Sequence, residues 1–338
     1  MPDPSSSLQT THLTTRSLRT TLLQTLVKPF RPRLVKSKRE YPAGSPRLQR
    51  ADYKTIEKHC TVTERQTEGI WLYDITSRSS DKAKARGRGR ARSPRKDRVK
   101  RRLYYFCGGG WSMPPSGQHW KLCAELALRT DAVVTIVSYP LAPHSAAPVA
   151  LPQLMRWYRA AMRGSEEEGQ AVTLAGDSSG GNIALALVLR ALREDEEEGR
   201  SKPGPGNVLA ISPAVDLLTH DAAVAAADKL DPVLTLDLID ENARRWVGGG
   251  DAGDPAVSPV YADVGLLAKR GVELYGITGS YDVLTPDALR FRDRCQEAGV
   301  QGEWLHWEKQ MHCFPLAWIY RLPESVRGKD WILDVLRR

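Results

Sequence analysis

Six consecutive residues, Gly176-Asp177-Ser178-Ser179-Gly180-Gly181, have the types and spacing for nucleophilic chemistry. They close the strand-like run AVTLAG and lead directly into the helical stretch NIALALVLRALR. Between a strand and a helix, G-x-S-x-G makes a tight turn whose glycines leave room for a strained backbone, lifting the Ser178 hydroxyl clear of a sheet. The helix start adds the positive end of its dipole, and the N–H of Ser179 can donate to an oxyanion. A second glycine run, Cys107-Gly108-Gly109-Gly110-Trp111, follows the strand-like LYYF. Three adjacent glycines cost conformational entropy and pack poorly, but they let backbone N–H groups converge on a developing negative charge. A serine hydroxyl also needs a base held in place by an acid. Beyond Ser178 the histidines are His220, His306 and His312.

The elements that must position these residues follow a regular pattern. Apolar runs of strand length lie at 70–75, 103–106, 132–138, 171–176, 207–211, 272–278 and 303–307, with helical stretches at 118–129, 150–163, 182–195 and 286–298. Strands alternating with helices predict βαβ units, a mostly parallel sheet flanked by helices, and chemistry in the loops at the strands' carboxyl ends. The composition suits one large domain, and no apolar run reaches the length needed to span a bilayer.

With the GGG loop about seventy residues ahead of GDSSGG, the chain resembles the hormone-sensitive-lipase-like esterases, the third family group of α/β hydrolases. Tyr139-Pro140-Leu141-Ala142-Pro143 resembles that family's Y-R-L-A-P, Ser212-Pro213-Ala214-Val215-Asp216-Leu217 its S-P-W-x-D-L, and Ser258-Pro259 its later S-P. The likeness runs from about residue 70 to the C-terminus. Two positions depart from it: Cys107 stands where the family has His, and His144 where it has Glu. Because Cys is a weak donor, the first departure predicts a less rigid oxyanion loop.

The resemblance implies an α/β-hydrolase fold with a helical cap, and in that fold the triad runs Ser, then Asp or Glu, then His. His306 sits in the alternating EWLHWEK and reads as a packed strand residue, and His220 precedes the expected acid. His312 follows the last strand and resembles the family's H-G-F loop, with Cys313 for Gly. Asp282 stands just past a strand's carboxyl end and matches the family's D-x-L. Asp287 is a rival, but it falls in the first turn of the next helix, where an acid complements the dipole. Asp177 and Asp216 read as structural. The implied catalytic set is Ser178, Asp282 and His312, with the N–H groups of Gly109, Gly110 and Ser179 as the oxyanion hole and Trp111 shaping the substrate pocket. No metal or organic cofactor is implied. The expected function is hydrolysis of small or short-acyl, acetyl-type esters. A weaker likeness to fungal acetyl-hydrolases suggests a sterol or secondary-metabolite alcohol. An arylformamidase-like amidase and a non-catalytic hydrolase-fold binding protein are the alternatives.

Charge is distributed unevenly. The net +9 comes from 49 Lys+Arg against 40 Asp+Glu. Residues 78–102 carry +11 and residues 1–50 carry +8, leaving −10 for the body. The 78–102 stretch is Gly/Arg-rich and lacks the apolar content to fold, so it reads as a disordered insert. It also lacks aromatic stacking platforms, so no nucleic-acid partner is expected. Residues 1–50 read as a basic segment belonging to the cap. Leu18, Leu22, Leu26 and Phe30 lie at helical spacing, and the Ser/Thr/Arg-rich composition offers a transit peptide as the alternative. Residues 51–338 form the hydrolase domain, with a cap segment at 220–250. Five scattered cysteines without CxxC spacing predict a reducing compartment, cytoplasmic or, through that N-terminus, mitochondrial.

Overall fold

A computed structural model describes residues 7–31, 41–78, 100–218 and 221–338. Most of the expected insert (79–99) and His220 lie outside the described residues.

Among the described residues nine strands form one sheet: β1 (Gln9–Leu13), β2 (Cys60–Thr67), β3 (Ile70–Ser77), β4 (Lys100–Phe106), β5 (Val133–Ser138), β6 (Gln170–Asp177), β7 (Asn207–Ile211), β8 (Glu273–Tyr281) and β9 (Gly302–Met311). Their order is β1-β9-β8-β7-β6-β4-β5-β3-β2. All neighbours are parallel except β2/β3 and β3/β5. Among the described residues ten α-helices surround it: α1 (Leu18–Val27), α2 (Arg50–Tyr53), α3 (Gly117–Thr130), α4 (Ala147–Glu167), α5 (Ser179–Glu197), α6 (Ala222–Leu230), α7 (Leu236–Val247), α8 (Gly265–Lys269), α9 (Thr285–Glu297) and α10 (Pro323–Arg337). This is the α/β-hydrolase architecture expected from the strand–helix alternation. Among the described residues no helix is long and apolar enough to cross a membrane.

The central strands are near-continuous apolar runs because both of their faces are covered. On β4, Tyr104 and Phe106 pack with residues of α4 and α5, while Leu103 and Tyr105 face the opposite cluster with α3 and α10. Register sets the functional edge. Phe106 pairs with Gly176, Asp177 with Ile211, and Ile211 with Ile277, so β4, β6, β7 and β8 end nearly level. The loops that follow them emerge side by side.

Two expectations need correction. Residues 100–102, assigned to the basic insert, belong to β4: Lys100 pairs with Gln170, and Arg102 lies 3.1 Å from the half-buried Asp74 and donates to Gln170 at 2.8 Å. An ion pair inside the sheet offsets the charge density that suggested disorder. Residues 1–50 are also more than cap. Gln9–Leu13 forms an edge strand parallel to β9, and α1 turns its polar Thr20 and Gln24 inward while Leu18, Leu22 and Leu26, with Phe30 just beyond the helix, are exposed.

Helix α5 starts on the ends of β4 and β6 with no space between. A Cβ on Gly180 would lie 2.0 Å from the Phe106 carbonyl oxygen, and one on Gly176 would lie 2.4 Å from the Gly180 carbonyl. Gly180→Ala should therefore destabilise the protein by about 2–3 kcal/mol, the scale of overpacking against a backbone that cannot yield. Gly164→Ala, within α4 and with open space around it, should stabilise by about 0.5–1 kcal/mol. Denaturant midpoints of the two variants test the contrast.

Candidate active site

Ser178 caps α5 at φ 53° and ψ −123°, a conformation rarely open to side-chain-bearing residues. Backbone bonds on both sides enforce it. The Ser178 N–H donates to the Ile211 carbonyl at 2.8 Å, and its own carbonyl accepts from Asn182 N–H at 3.1 Å and Ala214 N–H at 3.2 Å. The residue lines a cavity of about 660 Å³. Gly109, Gly110, Trp111, Ser179 and His312 line the same cavity. None of the hydrogen bonds among the described residues uses the N–H of Gly109, Gly110 or Ser179.

The loop carrying the glycines is held by Asp177. Its Oδ1 accepts from Gly108 N–H at 3.1 Å and from the Tyr105 hydroxyl at 2.8 Å, while Oδ2 lies 3.1 Å from His119 Nε2. Ser116 N–H donates to His119 Nδ1 at 2.9 Å, so the proton of the neutral ring sits on Nε2 and points at Asp177. Burial works against the Asp177 charge, but His119 and the Gly108 and Tyr105 donors hold its carboxyl below the usual range. Cys107 is buried, and its carbonyl accepts from the Tyr139 hydroxyl at 2.8 Å. The loosening expected from the weak Cys107 donor is thus countered by Asp177 and Tyr139. His119 escaped the sequence reading because its partner is distant in the chain. His144, the other departure, is exposed and does not line the cavity.

The glycine loop also touches the segment over the cavity. A Cβ on Gly110 would lie 2.4 Å from Asn242 Nδ2 on α7. Trp111 stacks on Trp246 of the same helix with ring centroids 5.8 Å apart and an interplanar angle of 10°. Its ring is a buried wall rather than an exposed platform.

His312 follows β9, and its Nδ1 lies 2.9 Å from Asp282 Oδ2. Asp282, fully buried just past β8, also accepts from Leu284 N–H at 3.0 Å. Beside it stands Asp231, which the sequence reading missed although Asp-Pro is a turn former. Asp231 accepts from Val233 N–H at 2.7 Å, Leu234 N–H at 2.9 Å and Val283 N–H at 2.9 Å, tying the Asp282 turn to the cavity wall. Burial and the Asp282 charge push its carboxyl up to about 7. The second His312 nitrogen, Nε2, lies 3.3 Å from Cys313 Sγ, and Cys313 itself adopts φ 48°. The rival candidates face elsewhere. Asp287 lies 3.4 Å from Arg290, and His306 is within 3.1 Å of Thr278 Oγ1, with burial pushing its imidazole down to about 4. Asp216 accepts from Leu218 N–H at 2.7 Å and Tyr261 Oη at 2.8 Å.

A family model described as the alpha/beta hydrolase fold matches residues 103–316. The chain belongs to that family. Its relatives include an esterase from Acinetobacter venetianus, 28% identical over 64% of this chain and 70% of that one. An acetyl-hydrolase from Streptomyces hygroscopicus is 28% identical over 68% of this chain and 72% of its own. Among solved structures, a hormone-sensitive lipase from a metagenome library superposes with a TM-score of 0.70 at 24% identity, covering 95% of this chain and 98% of that chain. The resemblance drawn from the GGG and GDSSGG motifs holds within this hydrolase family.

Burial pulls the His312 imidazole down, but the Asp282 carboxylate and Cys313 outweigh it and hold the ring well above its ordinary value. An NMR titration should therefore find His312 protonated to above pH 6.5. Asp282→Asn removes the opposite charge and should lower that midpoint by about one to three pH units. Asp231→Asn should move it the same way by less. An unchanged midpoint in Asp282→Asn would contradict the assigned pair.

Proposed function

We propose that the chain is a serine carboxylic-ester hydrolase acting on short-acyl, acetyl-type esters through an acyl-enzyme on Ser178. The observation that carries this reading is the strained Ser178 sharing one cavity with His312, whose far nitrogen is held by buried Asp282. Ser178 Oγ attacks the ester carbonyl carbon while His312 Nε2 takes its proton, and Asp282 stabilises the imidazolium. The N–H groups of Gly109, Gly110 and Ser179 receive the oxyanion. His312 then protonates the departing alcohol. Water, deprotonated by the same imidazole, cleaves the acyl-enzyme.

The acetyl-hydrolase relative supports a small acyl group. The cavity of about 660 Å³ leaves most of its space to the alcohol. Val233, Leu234, Leu238 and Ile239 give it an apolar wall suited to a sterol-like or secondary-metabolite alcohol. Helices α6 and α7 serve as the cap.

A fluorophosphonate should label the wild type and fail to label Ser178→Ala. Acetate and butyrate esters should turn over faster than octanoate esters. An unlabelled wild type would overturn the hydrolase reading and leave a hydrolase-fold binding protein. A base must be neutral to accept the Ser178 proton, so kcat/KM should fall as pH drops through the raised His312 value, placing the acid limb above pH 6.5. Cys313→Gly removes the thiol that engages Nε2 and should raise kcat/KM about fivefold, the rate equivalent of a weak hydrogen bond of about 1 kcal/mol. A fall in kcat/KM would show that the thiol instead holds the imidazole in its working position.

A further inference from the structure

Helix α1 is turned inside out. Thr20 and Gln24 are buried at 0% and 2% exposure, whereas Leu18, Leu22, Leu26 and Phe30 are exposed at 88%, 61%, 60% and 57%. Leu18, Leu22 and Leu26, at intervals of four residues, make one stripe along the helix, and Phe30 in the 3-10 turn Lys28–Phe30 follows it. The helix cannot roll to hide that stripe, because its polar side is fastened. Buried Glu324 on α10 accepts from the Ser17 N–H, from the Ser17 hydroxyl at 3.0 Å and from the Thr20 hydroxyl, and Arg16 donates to Gln24. At the other end Lys28 Nζ donates to the Lys229 carbonyl at 2.6 Å, and Arg31 donates to the Asp231 carbonyl at 2.9 Å.

Charge selects the partner. Residues 4–39 carry eight basic side chains and no acid. Arg19 is exposed beside the stripe and Lys28 at its end. A second copy of the chain docking through this face about a two-fold axis would bring those like charges together, which is unfavourable. An anionic bilayer surface would meet both features, taking up the leucines and Phe30 at the acyl boundary and pairing the basic groups with its headgroups. We propose that α1 and the turn that follows it dock this protein on anionic membrane surfaces through Leu18, Leu22, Leu26 and Phe30.

The position of α1 gives this docking a use. Its start is fastened to Glu324, just after the segment Phe314–Tyr320, which lines the cavity through Leu316, Ala317 and Tyr320. Its end is fastened at Asp231, just before the cavity residues Val233 and Leu234. Docking therefore holds the cavity walls close to a bilayer, where apolar esters accumulate. The docking itself does not depend on the hydrolase reading.

The test is co-sedimentation of the full chain with phosphatidylcholine vesicles, with and without phosphatidylserine. The wild type should bind the anionic vesicles, and added salt should weaken binding. The double variant Leu22→Glu/Leu26→Glu should lose about tenfold or more of its partitioning. Arg19→Gln should lose about fivefold on anionic vesicles only. The double variant should keep the wild-type thermal midpoint, which shows folding even if Ser178 proves inert, and it should hydrolyse water-soluble p-nitrophenyl acetate at the wild-type rate. No vesicle binding by the wild type would overturn the proposal. So would binding retained in the double variant, which would shift the contact to the Arg/Gly-rich residues 79–99. A wild-type dimer that the double variant dissociates would also overturn it, in favour of a second copy.

Discussion

Contact between backbones at the start of α5 is the constraint on which the site depends. Gly180 lies so close to the Phe106 carbonyl, and Gly176 so close to Gly180, that the helix starts directly on the ends of β4 and β6. That approach forces Ser178 into its positive-φ conformation and points the helix N-terminus at the cavity. It also brings the end of β4 against Asp177, whose carboxylate can then reach Gly108 N–H. Ser178 and the glycine loop are therefore placed by one packing event. The level ends of β7 and β8 extend the same edge to Ile211, which fixes the Ser178 N–H, and to the Asp282 turn.

Features encoded over a few residues were legible in the sequence, and features encoded by distant partners were not. The GDSSGG turn and the GGG loop carry their meaning locally, because glycine spacing alone dictates the backbone each can adopt. The central strands were legible because burial on both faces leaves unbroken apolar runs. Edge strands β1 and β2 escaped notice: their sequences, QTTHL and CTVTERQT, are polar where one side faces solvent. The facing of α1 is not a local property. Helical spacing shows that Leu18, Leu22, Leu26 and Phe30 share a side, but the side turned inward is decided by Glu324, some three hundred residues away. Arg102 was misread for the same reason, since Asp74 and Gln170 become its partners only once the sheet exists. Asp231 and His119 likewise acquire their roles through contacts that no local pattern announces.

Three buried carboxyls lie beneath the cavity floor, and each is accommodated differently. Asp177 keeps its charge because His119, the Tyr105 hydroxyl and the Gly108 N–H replace the water it has lost. Asp282 gives one oxygen to His312 and the other to Leu284 N–H. At Asp231, burial and the neighbouring Asp282 charge outweigh His312 and the backbone donors, so its proton is held into the neutral range. Two like charges this close cannot both be stabilised by one imidazole, and the hydrogen-bond geometry ranks them. Asp282 reaches Nδ1 and Asp231 does not. The carboxyl that pairs with His312 is thereby the one free of competing duties at that oxygen, while Asp231 uses both of its oxygens to hold the chain on either side.

The charge of the whole molecule follows the same division of labour. The acidic excess of −10 outside residues 1–50 and 78–102 belongs to a body that keeps its chemistry in buried, individually satisfied carboxyls. The basic excess lies in segments whose described residues contribute no side chain to the cavity lining. Long-range attraction to an anionic partner can therefore change with salt while the short buried pair of His312 and Asp282, little screened by ions, does not. A protein built this way can vary where it sits without altering the buried geometry around Ser178 and His312.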